Sequence, residues 1–419
     1  MYLCVVMEIK RTLYQTIRSH LDKPEITLLI GPRQAGKTTL LREIAENLVS
    51  DGQHCFFFNL DIDVDAQYFR SQQTFVERVV ALAGQQKAYI FIDEVQRIEN
   101  AGLFLKGLYD RRLPYKWVAT GSGSLELKEK IAESLAGRKR NFYLFPVSLA
   151  EFTTYSWKVE LEQSGALLRT DTAESEHLLR QYLLYGGYPR VVTASDAEEK
   201  KAVLSEIFQS YIERDIQILL RLEKSKDFIT LLQLVANRIG KLINFQDLSN
   251  LTNLSVPTVK NYLWYCEKTF IIESVLPFYT NKEKELVKSP QYYFTDAGLR
   301  NHLLAITELV PQSNEFGFLF QQLVFQLLKA KFDHSVAAIR YWRTQNQAEV
   351  DFVVQKGLEL LPVEVKSAQL QQPEITRSLR SFIEMYHPAE AWIVNRSLEA
   401  TVQVGDTAVR FLPWQALVV

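Results

Sequence analysis

The segment Gly31-Pro32-Arg33-Gln34-Ala35-Gly36-Lys37-Thr38-Thr39 constrains this chain more than any other, because it matches G-x-x-x-x-G-K-[ST] without deviation. A chain of this size would match by chance roughly once or twice in a hundred at average residue usage. Its flanks sharpen the signal: an apolar, strand-like run, Ile26–Ile30, precedes it, and a helical stretch, Thr38–Leu48, follows. A strand feeding such a loop and then a helix turns successive backbone N–H groups inward, and the helix N-terminus adds its dipole, so the loop can cradle phosphate oxygens. On this reading Gly31, Pro32, Arg33, Gln34, Ala35, Gly36, Lys37, Thr38 and Thr39 form the nucleotide cradle. Lys37 neutralises the outer phosphates and the Thr38 hydroxyl takes a Mg²⁺ position.

Such a cradle needs a second metal anchor at the end of a buried strand. Tyr89-Ile90-Phe91-Ile92-Asp93-Glu94 supplies four strand-forming residues and then two acids. Asp93 is the expected Mg²⁺ anchor, and Glu94 the group that polarises the attacking water. Capping of the next helix is the plainer reading of the pair, which the upstream loop makes the weaker one. No N-K-x-D guanine reader follows, so ATP is the expected nucleotide. A third strand, Trp117-Val118-Ala119-Thr120, runs into Gly121-Ser122-Gly123-Ser124; Ser122 is the candidate for γ-phosphate contact, with an ordinary turn as the alternative. Arg138, in Ala136-Gly137-Arg138-Lys139-Arg140, is a candidate for answering phosphate charge in cis or in trans, against a solvated basic turn.

The rest of the chain sets the frame. Its 419 residues suggest about three domains. Lys plus Arg number 48 and Asp plus Glu 49, which excludes a strongly basic nucleic-acid coat but not a local patch. Three cysteines, Cys4, Cys55 and Cys266, are too few and too scattered for a disulfide framework, and the six histidines lack metal-ligand spacing. No apolar run approaches a membrane span, and the opening MYLCVVMEIKR has neither a basic n-region nor a cleavage site. The expectation is a cytoplasmic protein without a membrane partner.

Ile9, Leu13, Ile17 and Leu21 suggest an amphipathic leading helix. The runs Ile26–Ile30, Cys55–Leu60, Tyr89–Ile92, Lys116–Thr120 and Asn141–Phe145 alternate with helical stretches, an α/β rhythm implying a mostly parallel sheet. Residues 147 to about 235 read as helical, interrupted at Gly186-Gly187-Tyr188-Pro189. Ile243–Leu251 and Pro257–Thr269, then Phe270–Val275 and Gln291–Phe294, suit a helix–turn–helix with a two-strand wing. A helix over Phe318–Lys331 leads into strand-like Ile339–Trp342, Val350–Gln355 and Leu360–Lys366, another helix and a final strand pair.

With these residues in place the chain resembles prokaryotic AAA-type P-loop ATPases that carry a C-terminal domain of unknown function. The resemblance runs over nearly the whole length, through GPRQAGKTTLL (31–41), FIDEVQRI (91–98), ATGSGSLEL (119–127), ESLAGRKRNFYLFPVS (133–148), YGGYPRVV (185–192), YIERDI (211–216), KSPQYYFTDAGL (288–299), YWR (341–343) and AEVDFVV…LPVEVKS (348–367). It implies an α/β P-loop core with an extra strand between the loop strand and the Asp93 strand. A helical lid and winged helix, then a restriction-endonuclease-like α/β domain, are implied to follow. The corresponding boundaries are 1–145 for the core with its leading helix, 146–225 for the lid, 226–295 for the winged helix and 296–419 for the last domain.

Within that last domain Asp351 and Glu364-Val365-Lys366 resemble the D…E-x-K core of restriction-type nucleases, in which two carboxylates hold Mg²⁺ and a lysine steadies the water. The pattern of that family has a glutamate on the preceding helix where this chain has Gln321, in Gly317-Phe318-Leu319-Phe320-Gln321. The site therefore loses an anionic ligand, and a metal-binding or vestigial site competes with an active one. Glu349, two residues before Asp351 on the same strand face, is the candidate to compensate. Lys260 and Lys268, with Lys282, Lys284 and Lys288 on the wing, are the candidate DNA contacts, diluted by Glu267, Glu283 and Glu285. Three readings result: a Mg²⁺-dependent ATPase acting as a nucleotide-driven switch, an ATP-gated DNA nuclease, and a nucleotide-loaded interaction module with negligible turnover. A protein partner and a homo-oligomer, required if Arg138 acts in trans, stay open.

Overall fold

The computed structural model describes residues 9–122, 135–211, 225–278, 289–332 and 337–418. The N-terminal core is a five-stranded parallel sheet of β1 (Ile26–Gly31), β2 (His54–Asn59), β3 (Ala88–Asp93), β4 (Tyr115–Ser122) and β5 (Lys139–Tyr143), in the order β2-β3-β4-β1-β5. The strand β4 separates β1 from β3, the extra strand that the family resemblance implies.

Strand alternation sends neighbouring residues to opposite faces, and each face finds its own cover. Leu28, Ile30, Ile90, Ile92, Trp117 and Ala119 pack with Phe75, Phe104 and Leu108, from helices Gln72–Ala83 and Ala101–Asp110. Leu29, Tyr89, Phe91, Val118 and Phe142 pack with Ile17, Leu40 and Ile44, from helices Leu13–His20 and Lys37–Ser50. On the first face Phe58, Phe69, Phe75 and Phe104 form an aromatic cluster, with Phe69 and Phe75 stacked at 4.2 Å. Such pairs add about 0.5–1.5 kcal/mol each beyond buried area.

The leading helix is shorter than its apolar spacing suggests. It begins at Leu13, because Glu151 accepts from both the Thr12 backbone N–H (2.7 Å) and the Thr12 hydroxyl (3.0 Å) and fixes the chain there. Ile9 instead joins the core of the helical middle.

After Pro146 come helices Leu149–Trp157, Leu161–Thr170, Thr172–Tyr185, Pro189–Val192 and Ala197–Ser210. Ser225–Ala236, Phe245–Thr252 and Val256–Lys268 follow, then the antiparallel pair β6 (Ile272–Val275) and β7 (Gln291–Phe294). Lys282, Lys284 and Lys288 lie outside the described residues, as do Glu283 and Glu285. Helix Ala297–Leu303 packs back onto Thr172–Tyr185, where the Asn301 side chain donates to the carbonyls of Leu183 and Leu184 at 2.9 Å each.

The C-terminal part places helix Asn314–Phe332 against a six-stranded mixed sheet of order β12-β13-β11-β10-β9-β8. Its strands are β8 (Ala338–Arg343), β9 (Glu349–Lys356), β10 (Glu359–Val365), β11 (Glu390–Asn395), β12 (Ala400–Val404) and β13 (Thr407–Pro413). Three strands, not a final pair, follow helix Arg377–Tyr386: β11 runs parallel to β10 and β13, and β12–β13 closes as a hairpin. One sheet face, with Phe352, Val354, Val363 and Val394, shares a continuous core with the helical middle, while Val350, Val353, Ile393 and Phe411 pack on Arg377–Tyr386. The middle and the C-terminal sheet are thus fused by apolar packing. Among the described residues no helix is long and apolar enough to cross a membrane.

Candidate functional site

The parallel sheet brings the C-terminal ends of β1, β3 and β4 to one edge, and the loop after β1 closes over it. Gly31 ends β1 where a Cβ would overlap the carbonyl oxygen of Leu144, so only glycine fits. Gly36, at φ 93°, caps helix Lys37–Ser50 in the left-handed region that glycine enters without steric cost. Between them Gln34 also has positive φ. Lys37 is buried and its Nζ donates to the carbonyls of Gly31 (3.0 Å) and Pro32 (2.7 Å), so its cation lies within the curl of the loop.

The expected metal anchors meet. The Thr38 hydroxyl donates to Asp93 Oδ2 at 2.8 Å, joining residues 55 apart in the chain. The other carboxylate oxygen of Asp93 accepts from the Thr120 hydroxyl. Thr120 Oγ1 in turn accepts the backbone N–H of Glu94 at 3.1 Å. Glu94 is a non-glycine residue at φ 59°, a strained conformation of the kind that persists where surroundings over-determine it. The turn lifts its carboxylate off the strand, where Gln96 Nε2 donates to it. Burial pushes the Glu94 carboxyl above its ordinary value; the charge of Lys37 works against this and that of Asp93 adds to it.

Ser122 closes β4 with 1% of its surface exposed. Its backbone N–H donates to Gln96 Oε1 at 3.3 Å, but its hydroxyl has no hydrogen-bond partner among the described residues. A buried orphan hydroxyl is costly, and a ligand oxygen beside it would satisfy it.

Arg138 is not brought to this edge. Its carbonyl accepts from Ile26 N–H, at the start of β1, and its guanidinium pairs with Asp110 at 2.8 Å. Five residue steps along β1 separate that point from Gly31, about 16 Å at strand rise. The cis role is therefore corrected: parallel pairing places Arg138 at the opposite end of the sheet from the loop.

Several contributors were not singled out from sequence. Thr120 supplies a second hydroxyl to Asp93, beside that of Thr38, and its signal was a polar residue ending an apolar strand. Arg11 donates to the Ala35 carbonyl at 2.9 Å, from a segment whose apolar spacing reads as ordinary helix. Arg190 follows the Gly186–Pro189 turn and reaches Gln34 Oε1 at 3.5 Å and Glu206 at 2.8 Å. Pro189 stands 3.6 Å from where a Gly36 Cβ would lie. The turn thus sets the helical middle directly against the loop.

In the C-terminal sheet Asp351 and Glu364 lie on the adjacent strands β9 and β10, but their oxygens are committed. Asp351 accepts from Gln321 Nε2 and from Val365 N–H, both at 2.8 Å. Glu364 accepts from Thr376 Oγ1 at 2.6 Å and pairs with Lys366 at 2.7 Å. Glu349 turns to Gln291 (3.2 Å) and Arg343 (3.3 Å). Burial pushes the Asp351 carboxyl from an ordinary 3.8 up to about 7. Among the described residues no group of three or more His, Cys, Asp or Glu side chains is arranged to hold a metal ion. Lys260 and Lys268 lie over the rings of Phe245 (5.1 Å) and Trp264 (5.5 Å).

Comparison with known proteins finds family matches along most of the chain. Residues 23–153 match an AAA domain, residues 176–310 a domain of unknown function, DUF8612, and residues 316–417 another, DUF4143. An uncharacterized protein of Mycobacterium tuberculosis is 28% identical over 409 residues, covering 97% of this chain and 84% of that protein. One from Haemophilus influenzae is 26% identical over 357 residues, covering 82% of this chain and 83% of that protein. Among solved structures, the replication initiator DnaA bound to AMPPCP and single-stranded DNA is 14% identical with a TM-score of 0.28, covering 63% of this chain and 90% of that one. RIF2 of Saccharomyces cerevisiae is 11% identical with a TM-score of 0.27, covering 45% of this chain and 84% of that one. Likenesses that slight carry no argument about this molecule.

Proposed function

We propose that this chain is a Mg²⁺-dependent ATPase whose nucleotide cycle acts as a switch on its helical and C-terminal parts. One observation carries the reading: the Thr38 hydroxyl and the Asp93 carboxylate meet at 2.8 Å beside the buried Lys37 and the strained, desolvated Glu94. The residues fit the ligands. Lys37 would answer phosphate charge, Thr38 and Asp93 would hold Mg²⁺, and the orphan Ser122 hydroxyl would meet a γ-phosphate oxygen. Bound Mg²⁺ supplies charge neutralisation of the phosphate oxygens.

Glu94 is the base. A carboxyl raised toward neutrality accepts a proton from water more readily than a fully solvated one, and its anchored backbone fixes its aim. Coupling to the rest of the chain would pass through the Gly186–Pro189 turn. There Pro189 and Arg190 face the loop, while the Gly187 N–H donates to the buried Asp296 at 2.7 Å. A winged-helix role for residues 226–295, with DNA as partner, rests on the element order and on Lys260 and Lys268. Gln321 beside Asp351, where an anionic ligand is expected, favours a metal-binding or vestigial site over an active nuclease.

The test is ATP binding and turnover, with and without DNA. Glu94→Gln should bind ATP as wild type does yet lose at least about a hundredfold in turnover. Full turnover in that variant refutes the role given to Glu94.

A further inference from the structure

Arg11 lies outside the loop and outside every nucleotide-binding pattern in the sequence, yet its guanidinium reaches three separate segments around the cradle. It is 6% exposed. Nη1 donates to the Ala35 carbonyl (2.9 Å), Nη2 to the Phe145 carbonyl (2.6 Å), and Nε stands 3.2 Å from Glu151 Oε2. Three pieces of chain thus converge on one planar fork: the phosphate loop, the exit from β5, and the first turn of helix Leu149–Trp157.

The contact with Ala35 has a definite consequence. A trans peptide is planar, so its C=O and the following N–H point in opposite directions. Holding the Ala35 carbonyl toward Arg11 turns the Gly36 N–H to the opposite side of that peptide plane, away from Arg11. An anion cradle works only when its N–H groups face inward. The Gly36 backbone, at φ 93°, has the freedom to rotate that peptide away, so an external restraint is needed to keep one orientation.

Glu151 is the other half of the arrangement. It accepts from Thr12 N–H (2.7 Å), the Thr12 hydroxyl (3.0 Å) and Ser148 N–H (2.9 Å), and forms the capping box of helix Leu149–Trp157. The pair is buried on both sides, at 3% and 4% side-chain exposure. A shift of the Ala35–Gly36 peptide therefore pulls on the cap of the first helix of the middle module. We propose that Arg11 is a positioning residue: it pre-sets the phosphate-binding orientation of the loop and, through Glu151, couples that orientation to the helical middle. The proposal rests on the ATPase reading above. The role assigned to Arg11 is positioning and not phosphate ligation, because both its hydrogen bonds and its ion pair run to protein groups. Lysine cannot replace it in full, since an ammonium lacks the fixed fork that spans three partners.

The test uses the full chain as Arg11→Ala, Arg11→Lys and the paired Arg11→Met/Glu151→Gln. The paired variant removes both buried charges and keeps one acceptor oxygen to cap Ser148 N–H, so it avoids the uncompensated Glu151 charge that Arg11→Ala leaves. Steady-state kinetics with ATP and amide hydrogen exchange over residues 31–38 without nucleotide are the readouts. Arg11→Ala and the paired variant should raise KM for ATP at least about tenfold with kcat within about threefold, Arg11→Lys should recover part of the loss, and exchange at the loop should accelerate. A folded Arg11→Ala or paired variant with wild-type KM and wild-type exchange overturns the proposal. If the wild-type chain itself fails to bind ATP, the ATPase reading falls, and loop exchange alone then decides the role of Arg11: acceleration upholds it and no change overturns it.

Discussion

The two glycines of the phosphate loop are required for different physical reasons, and replacing each by alanine separates them. At Gly31 a Cβ would sit on the Leu144 carbonyl oxygen and 3.0 Å from its carbon, so the exit of β5 must move. That movement breaks the bond from Leu144 N–H to the Ile30 carbonyl, 2.8 Å long in the native chain, at a cost of about 1 kcal/mol. Overpacking at this contact adds about 1–3 kcal/mol. Gly31→Ala should therefore lose about 2–4 kcal/mol, a fall in Tm of roughly 5–15 °C for a domain of this size. At Gly36 the nearest atoms to a Cβ are Arg11 Nη1 and Pro189 Cγ at 3.6 Å, ordinary contact distance. Its cost is the left-handed backbone alone, about 1–2 kcal/mol. Thermal unfolding without nucleotide, beside ATP titration, measures both: Gly31→Ala should be the less stable variant, and both should bind ATP more weakly. A Gly31→Ala protein melting within about 1 °C of wild type, or one more stable than Gly36→Ala, refutes the reasoning.

Two further outcomes follow from the sites. Ser122→Ala removes a buried hydroxyl that has no partner among the described residues, so Tm should hold or rise by about 1 °C while ATP turnover falls at least about tenfold. A Tm several degrees lower would reveal a native partner, and unchanged turnover would discard the catalytic role. Asp351→Asn tests the C-terminal carboxyl. Raised in the fold from 3.8 to about 7, Asp351 makes the folded chain bind more protons than the unfolded one between those values, so its contribution to stability declines as pH rises from about 4 through 7. Asparagine accepts from Val365 N–H as before and pairs with a rotated Gln321 amide. The variant should match wild type near pH 4 and melt higher near pH 8, by roughly 2–4 kcal/mol at most. An equal loss of stability at both pH values would show that the carboxylate, not the neutral acid, is the form the fold holds.

Much of the core was legible because local chemistry and tertiary role coincide there. The loop, the Asp93–Glu94 strand end and the fully buried strands β1, β3 and β4 follow from residue type and period, since a fully buried parallel strand is an apolar run and a phosphate loop needs glycine at fixed positions, whereas the edge strand β5 starts at Lys139, ahead of its apolar run. Legibility fails where a contact joins distant segments. Thr120, Ser122 and Arg138 all belong to one stretch of plausible phosphate contacts, but only the sheet register shows that Thr120 touches Asp93 and that Arg138 lies at the far end. Ile9 fits a helical period but packs with the middle module, because Glu151, remote in sequence, holds Thr12. In the C-terminal sheet the D…E-x-K spacing marks two adjacent strands correctly, yet spacing says nothing of whether Gln321, Val365, Thr376 and Lys366 already occupy the carboxylate oxygens.

The amino-acid sequence alone determined that this chain carries a phosphate loop with an acidic strand partner, because both depend on short-range backbone geometry and on side chains a few residues apart. The tertiary structure decided which hydroxyls and cations reach that loop, and that Arg11 and the Gly186–Pro189 turn tie it to the helical middle. Those contacts span up to 156 residues, from Gln34 to Arg190, and depend on strand order and module packing rather than on any local pattern.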